Sequence, residues 1–381
     1  MKRAPAREIL WLFLATRVAL VLVTYFGFIL LTQDKYASTQ VGVPALLNTW
    51  DRWDTLRYLR IAQYGYSVKE YTLAFSPLFP LLIALIAHPL GDWSYLLVGM
   101  LISNAALLGA LFVIYQLAAD MGGEQVGRRT VLYLCIFPTA FFFFAAYNES
   151  LFLFLTAATF LALRRQLWWL AGLLGFLAAL TRTAGVLLIV PYLYELWLAR
   201  ESIRSTRRRL VLGLAPIVLI PLGTLLYCFY CWQVSGDPIA FVTIQGHWAR
   251  HTDWPWMGIV QAIYELVWIQ PFASNNQVHI LLDLSATCGF IALAILSRHR
   301  LRSSYTLWMA LLLFLTLLSP SVGQSDSLIS NQRFVLEIFP AFITLAILGI
   351  RHPRLHQVLV WAFPGLLAIL SLIFVMGKWM V

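Results

Sequence analysis

Long apolar segments alternate with short clusters of arginine and lysine along most of the chain. This pattern predicts helices that cross a membrane, since about 20 apolar residues span its hydrocarbon core. Several of the segments are shorter than that, so broken or tilted helices are expected among them. Eleven spans are predicted, at residues 9–32, 95–119, 130–146, 150–163, 168–183, 186–198, 210–232, 278–297, 304–320, 334–350 and 357–377.

Residues 75–90 pose the main topological choice. Their apolar part is short, about 14 residues, and the segment contains three prolines, which favours a juxtamembrane helix over a crossing. If this segment does not cross, 17 of the 27 lysines and arginines lie on one side in short loops. The positive-inside rule then predicts a cytoplasmic N-terminus, an outer C-terminus, and chemistry on the outer, extracytoplasmic side.

The composition predicts a polytopic, all-α transmembrane bundle that forms a single domain over residues 1–381. Hydrophobic residues make up 61% of the chain, charged residues 12%, and the mean hydropathy is +0.78, values outside the range of soluble domains. Residues 33–94 are expected to form an extracytoplasmic loop with juxtamembrane helices, and residues 233–277 a second long loop. The net charge of +10 resides mostly in short loops, as membrane topology requires, so nucleic acid is not an expected partner.

The strongest chemical signal is the run WDRWDTLRYLRIAQYGY at residues 50–66. If residues 54–64 are helical, Asp54 stands at the helix start and an apolar side lies on the membrane. Arg57 and Arg60 then point elsewhere, so the loop combines a carboxylate that could act as a base with arginines that could bind a phosphate. The alternative is an N-cap role for Asp54 and contact of the arginines with lipid headgroups.

Two further charged residues lie between short apolar segments, where they are costly unless solvated or paired. Glu149 could orient an acceptor hydroxyl or pair with Arg182, and a purely structural ion pair is the alternative. His247 and His251 are four residues apart, but without a third ligand at fixed spacing they are a weak indication of a metal site.

Several motifs together resemble the GPI mannosyltransferase 2 family (PIG-V type), whose members are membrane glycosyltransferases of the GT-C class. The resemblance begins in the first outer loop, where Trp-Asp-Thr and the following spacing are similar to that family's first lumenal loop. It covers most of the chain. The motifs are Trp53-Asp54-Thr55, Tyr58-Leu59, Ile61-Ala62, Gly65-Tyr66, AFSPLFPLL at residues 74–82, FFFAAYNESLF at residues 142–152, Thr181-Arg182-Thr183-Ala184-Gly185, Gln332-Arg333-Phe334 and Phe339-Pro340.

The resemblance implies transfer of a hexose from a polyprenyl- or dolichyl-phosphate carrier to a lipid or glycan acceptor, with inversion at the anomeric carbon. Mannose is the hexose that the family indicates. The resemblance assigns the general base to Asp54. Because Trp-Asp is duplicated here, Asp51 could share that role or bind a divalent cation with Asp54, and no other cofactor is indicated. The implied substrate-binding residues are Arg57, Arg60, Tyr147, Glu149, Arg182, Gln332 and Arg333.

Two other functions remain open at this stage. A transporter or flippase of a lipid-linked intermediate would also be all-helical, but transporters commonly contain two repeated halves, and no repeat is evident in this sequence. An O-antigen ligase or polymerase would also use long outer loops, although the Trp-Asp loop directly after the first helix argues against it. The short loops favour a prokaryotic cell (inner) membrane.

Overall fold

A computed structural model describes residues 5–32, 42–91, 94–200, 207–321 and 326–378 of the chain. These residues are predominantly helical, and the one β-type pairing among them is an isolated antiparallel bridge between Arg250 and Ser321. The chain divides into two compact units. The first comprises Met1–Gly65, Phe79–Phe154 and Leu345–Met380, and the second comprises Tyr66–Leu78 and Leu155–Thr344.

The first unit is built from long apolar helices and a group of short ones that follow the first span. Two further helices, Glu149–Arg164 and Phe339–Arg351, run from one unit into the other. The other helices of this unit are Ala6–Thr32, Val43–Asn48, Asp54–Tyr64, Leu78–Ala87, the 3-10 turn His88–Leu90, Tyr95–Gly122, Glu124–Ile136, the 3-10 turn Ala140–Phe143 and Pro353–Val375.

The second unit contains two long apolar stretches, Val211–Ser235 and Asn275–Ser297, and many shorter helices and turns. Its longest members are Leu219–Ser235 and Asn275–Ser297. The other described helices are the 3-10 turn Thr72–Ala74, Trp168–Thr181, the 3-10 turn Thr183–Leu188, Ile189–Leu198, Arg207–Leu214, the 3-10 turn Ala215–Val218, Ala240–Thr243, the 3-10 turn Ile244–Trp248, Met257–Tyr264, the π-turn Glu265–Ile269, Ser303–Leu317, Asn331–Phe334 and the 3-10 turn Val335–Glu337.

Five of the described helices are long and apolar enough to cross a membrane, and six if one bent pair counts as a single span. That pair is Asn331–Glu337 and Phe339–Arg351, whose axes differ by 85°. Each of the eleven predicted apolar segments contains a helix, which confirms the all-α prediction. The number of crossings stays a prediction, because several of these helices have only 10–17 residues.

The two predicted outer loops contain short helices. Residues 75–90 form the helix Leu78–Ala87 and the turn His88–Leu90, which agrees with a short helix at this point. One face of that helix is buried, at Phe79 and Ile83, while Leu81 and Leu85 are exposed. The second loop is also structured, since four short helical segments lie between residues 240 and 269. Residues 33–41 and 92–93 of the first loop lie outside the described residues.

Candidate functional site

The predicted loop helix is present in the first unit as Asp54–Tyr64. It begins at Asp54, and the N-cap position belongs to Trp53, so an N-cap role for Asp54 is wrong by one residue. The apolar side predicted to lie on the membrane instead packs inside the protein. Tyr58 and Leu59 are buried, and the Tyr58 ring lies 5.1 Å from the ring of Phe79. Burial of this side therefore anchors the helix to the protein.

The backbone just before this helix has a strained conformation. Trp53 has φ of 53° and ψ of −114°, a region that residues other than glycine rarely adopt. Tyr147 supports it from both sides, because its hydroxyl donates to the carbonyl of Arg52 at 3.3 Å and accepts from the N–H of Asp54 at 3.2 Å. Tyr147 is itself buried, and its carbonyl accepts from Ser103 Oγ at 2.7 Å. One phenol therefore sets the position at which Asp54 enters the helix.

The substitution Tyr147→Phe is expected to lower activity about tenfold and stability by about 1 kcal/mol, because it removes both hydrogen bonds to the strained turn. The aromatic contacts of the ring with Phe142 and Phe374 are retained in the variant. Initial rates and thermal unfolding in detergent measure the two effects. Tyr64→Phe, at the exposed end of the loop helix, is the matched control. An unchanged rate for Tyr147→Phe would mean that the phenol does not position Asp54.

Asp51 lies three residues before Asp54 in a partly buried environment. Burial raises the pKa of the Asp51 carboxyl above its ordinary value, and the neighbouring Arg52 guanidinium partly opposes this shift. Within the described part of the chain, no hydrogen-bond donor reaches Asp51 Oδ1. Three or more His, Cys, Asp or Glu side chains do not converge on a common metal position anywhere in the described ranges. A cation held by Asp51 and Asp54 would therefore need oxygen ligands from other residue types or water.

The remaining predicted residues of the first unit differ in exposure. On the loop helix Arg57 is half-buried and Arg60 is exposed. Glu149 is fully buried and is the first residue of the helix Glu149–Arg164. A carboxylate at that position is favoured by the partial positive charge of the helix N-terminus, which offsets part of the cost of burial.

In the second unit, three arginines converge on the ring of Phe334. The guanidinium carbons of Arg250, Arg182 and Arg333 lie 5.1, 5.3 and 5.9 Å from the centroid of that ring. Cation–π attraction favours each of these placements. Three guanidinium groups at one aromatic ring are chemically suited to an anion, and the carboxylate of Glu337 offsets the charge of Arg182.

The partners of these arginines hold the cluster in place. Arg182 follows the helix Trp168–Thr181 and forms a 2.7 Å ion pair with the buried carboxylate of Glu337. Arg250 donates from Nη2 to the carbonyl of Ile329 at 2.8 Å. Arg333 and Gln332 belong to the one-turn helix Asn331–Phe334, where both are buried. The backbone N–H of Gln332 donates to Asp283, so this turn is fixed through its main chain.

Arg250 and the partner of Arg182, Glu337, were not among the substrate-binding residues predicted from the sequence. Arg250 lies in a Trp- and His-rich loop, where a basic residue gives no local signal. Its position depends on the bridge to Ser321, a residue 71 positions further along the chain. Glu337 is a single acid within an apolar run, which does not identify its partner. Both contacts arise between distant segments, so spacing along the chain does not indicate them.

The fold is that of a known class of membrane proteins. ArnT from Cupriavidus metallidurans, solved bound to undecaprenyl phosphate, superposes with a TM-score of 0.53 at 13% sequence identity. The match covers 94% of this chain and 63% of that chain. The chain therefore has an all-helical fold of the GT-C type. Its long apolar helices show that it is an integral membrane protein.

A family model described as mannosyltransferase (PIG-V) matches residues 33–267. The chain belongs to this family. The rat GPI alpha-1,6-mannosyltransferase 2 is 35% identical over 153 residues, 38% of this chain and 31% of that protein. The GPI mannosyltransferase 2 of Schizosaccharomyces pombe is 25% identical over 220 residues, 52% of this chain and 47% of that protein. The matches thus span a third to a half of the length of these relatives.

Proposed function

We propose that this protein transfers a hexose from a polyprenyl-phosphate carrier to a hydroxyl group of a lipid or glycan acceptor on the extracytoplasmic face of its membrane. Mannose is the first candidate for the hexose. The observation that carries the proposal is the convergence of Arg182, Arg250 and Arg333 on Phe334. A glycosyl donor linked through a phosphate needs such a cluster, both to bind the donor and to stabilise the departing phosphate.

Phosphate as the leaving group explains why arginines are needed rather than a second acid. The bond between the anomeric carbon and the phosphate oxygen breaks with its electron pair going to the phosphate, which is already a weak base. A proton donor is therefore unnecessary, whereas positive charge stabilises the transition state. The undecaprenyl phosphate in the ArnT structure is a molecule of this chemical class and supports the same class of donor here.

The acceptor hydroxyl must lose its proton as its oxygen forms the new bond to the anomeric carbon. We assign this general-base role to Asp54, whose entry into the loop helix is fixed by Tyr147, with Asp51 as the alternative base. Attack opposite to the departing phosphate inverts the configuration at the anomeric carbon. Arg57 and Arg60 follow Asp54 on the same helix and are assigned to binding of phosphate or acceptor polar groups.

The roles of Glu149 and Tyr147 differ in this proposal. Tyr147 acts through backbone groups of the loop and is a positioning residue. Glu149, buried at a helix start, orients polar groups and does not itself need to bind substrate.

Gln332 is proposed to contribute through its place beside Arg333 in the same helical turn. Membership of the PIG-V family supports mannose as the first sugar to test.

The test is transfer of radiolabel from polyprenyl-phosphate mannose in membranes that contain the protein. Label is expected to move into a product that no longer partitions with the donor lipid, and polyprenyl phosphate is expected to accumulate in equal amount. Membranes without the protein are the control, and polyprenyl-phosphate glucose tests the sugar. Movement of intact labelled donor across the bilayer without release of polyprenyl phosphate would instead establish a flippase.

A further inference from the structure

A pair of buried acids in the second unit binds the turn that carries Arg333. Asp283, in the helix Asn275–Ser297, is 1% exposed, and Asp326, at the start of the turn formed by residues 326–334, is 5% exposed. Their side chains are within hydrogen-bonding reach of each other. A carboxylate cannot donate a hydrogen bond to another carboxylate, so a hydrogen bond between the two acids needs a proton on one of them.

Each acid also accepts a backbone hydrogen bond from the turn. The N–H of Leu328 donates to Asp326 Oδ1 at 2.9 Å, and the N–H of Gln332 donates to Asp283 Oδ1 at 2.7 Å. The other oxygen of each carboxyl, Oδ2, is buried, and the side chain of Gln332 also interacts with the carboxyl of Asp283. The two Oδ1 atoms thus hold the turn at two points, at Leu328 and at Gln332.

The electrostatic surroundings oppose a doubly charged pair. The charged group that acts on Asp326 from the neighbouring π-turn is Glu265, a third acid, whose Oε1 accepts from Ser327 Oγ at 2.9 Å. Arg250 contacts this turn at the carbonyl of Ile329. Burial raises the pKa of Asp326, which favours retention of a proton. Two adjacent carboxylates in a buried position repel each other strongly unless one is protonated.

We propose that Asp283 and Asp326 share one proton and act together as positioning residues that lock the 326–334 turn, so that Arg333 stays over Phe334. The inference rests on the proposed function, in which Arg333 binds the donor phosphate. The lock is needed because Ser330, inside the turn, has φ of 72°, a left-handed conformation that is costly for serine. Asn331 adds a further bond, since its Nδ2 donates to Thr287 Oγ1 at 3.0 Å.

The shared proton makes donor binding sensitive to alkaline pH. As pH rises, the pair loses its proton, the two carboxylates repel, and the turn that holds Arg333 is displaced. The KM for the donor should therefore increase at alkaline pH in the wild type, with a smaller change in kcat. An amide has the shape of the protonated acid but has no proton to lose in this range. Asp326→Asn should accordingly keep a nearly constant KM across the alkaline range.

The decisive experiment compares Asp326→Asn with Asp326→Ala in the full-length protein. At neutral pH the Asn variant is expected to stay within about threefold of the wild-type KM, because its amide replaces both hydrogen bonds, whereas the Ala variant is expected to raise the KM by about tenfold or more. A variant that cannot fold is recognised by its thermal unfolding curve. If Asp326→Asn and Asp326→Ala raise the KM equally, and a chelator abolishes wild-type activity, then a bound cation rather than a shared proton holds the two acids. That result would overturn the proposal.

Infrared spectroscopy tests the pair without any assay of transfer. The wild-type protein should show the deuterium-sensitive carbonyl band of a buried carboxylic acid, and the band should disappear both at alkaline pH and in Asp326→Asn combined with Asp283→Asn. Absence of such a band in the wild type would overturn the shared proton. If the band is present but no donor is turned over by any preparation, the proposed function fails while the acid pair stands.

Discussion

Replacing Asp54 by asparagine is expected to reduce the rate of sugar transfer by about 10²- to 10⁴-fold, the contribution typical of a general base. The amide has nearly the same shape as the carboxylate but does not accept a proton from the acceptor hydroxyl. The N–H of Asp54 still donates to Tyr147, so the start of the helix should be preserved. Initial rates at saturating donor, with thermal unfolding in parallel, measure the loss separately from any effect on folding.

Two companion variants make this result specific. Asp120→Asn places the same chemical change at an exposed position near the end of the helix Tyr95–Gly122 and should leave the rate unchanged. Asp51→Asn distinguishes the two candidate bases. Because burial raises the pKa of Asp51, a base at that position would gain its charge at a higher pH than an exposed aspartate, and the acidic limb of the rate profile would shift upward accordingly. Full activity in both Asp54→Asn and Asp51→Asn would remove this loop from catalysis.

Arg333→Ala should lower kcat/KM for the donor by about 10²- to 10³-fold, as expected when one preorganised charged donor is removed from a transition state. Arg250→Ala should produce a loss of the same kind, since its guanidinium lies at the same ring. Lysine at either position should restore only part of the rate, because an ammonium group cannot form the two parallel bonds that a guanidinium makes to a phosphate. Steady-state kinetics with varied donor concentration measure these effects.

Arg354→Ala provides the matched control, since Arg354 is exposed in the first turn of the helix Pro353–Val375. It should leave kcat/KM for the donor unchanged. A phosphate site also predicts that the loss in Arg333→Ala depends on the phosphate of the donor rather than on its sugar. If Arg333→Ala and Arg250→Ala turned over the donor as fast as wild type, the cluster around Phe334 would have only a structural role.

The loop after the first predicted span was the part of the chain that the sequence predicted best. The sequence predicted short helices in this loop, with residues 54–64 considered as one of them, and the structure contains a helix at Asp54–Tyr64. The direction of its apolar side was wrong, because periodicity shows that a helix has an apolar face but not what covers it. Tyr58 is covered by Phe79 and by Tyr147, residues that belong to other segments of the first unit.

Contacts between distant segments account for what the sequence left open. The partner of Arg182 is Glu337, 155 positions away, and Asp283 holds a backbone group of Gln332, 49 positions away. A single acid in an apolar stretch indicates only that some partner is needed, since burial without one is costly. Short apolar helices likewise leave the number of membrane crossings undetermined, because length and hydropathy are the only signals that the sequence supplies.

The resemblance to a known family identified the class of protein, which the spacing of residues alone did not. The Trp-Asp loop and the motifs near residues 147, 182 and 333 indicated the PIG-V family, and the match of residues 33–267 confirms the membership. Residues 332 and 333 lie beyond the matched stretch, so their assignment depends on the cluster at Phe334. Arg250 lies within the matched stretch and became a candidate only through its place in that cluster.

The hydroxyl of Tyr147 bonds to the main chain on both sides of Trp53, although Tyr147 lies 95 positions after Arg52. The position of the loop that contains Asp51 and Asp54 therefore depends on a residue from a different segment of the chain. A chimaera that exchanged only residues 50–66 between two members of the family would move the aspartates without the tyrosine whose hydroxyl holds the backbone beside them. Grafting experiments on these enzymes therefore need to move the loop and the residue at position 147 as a single module.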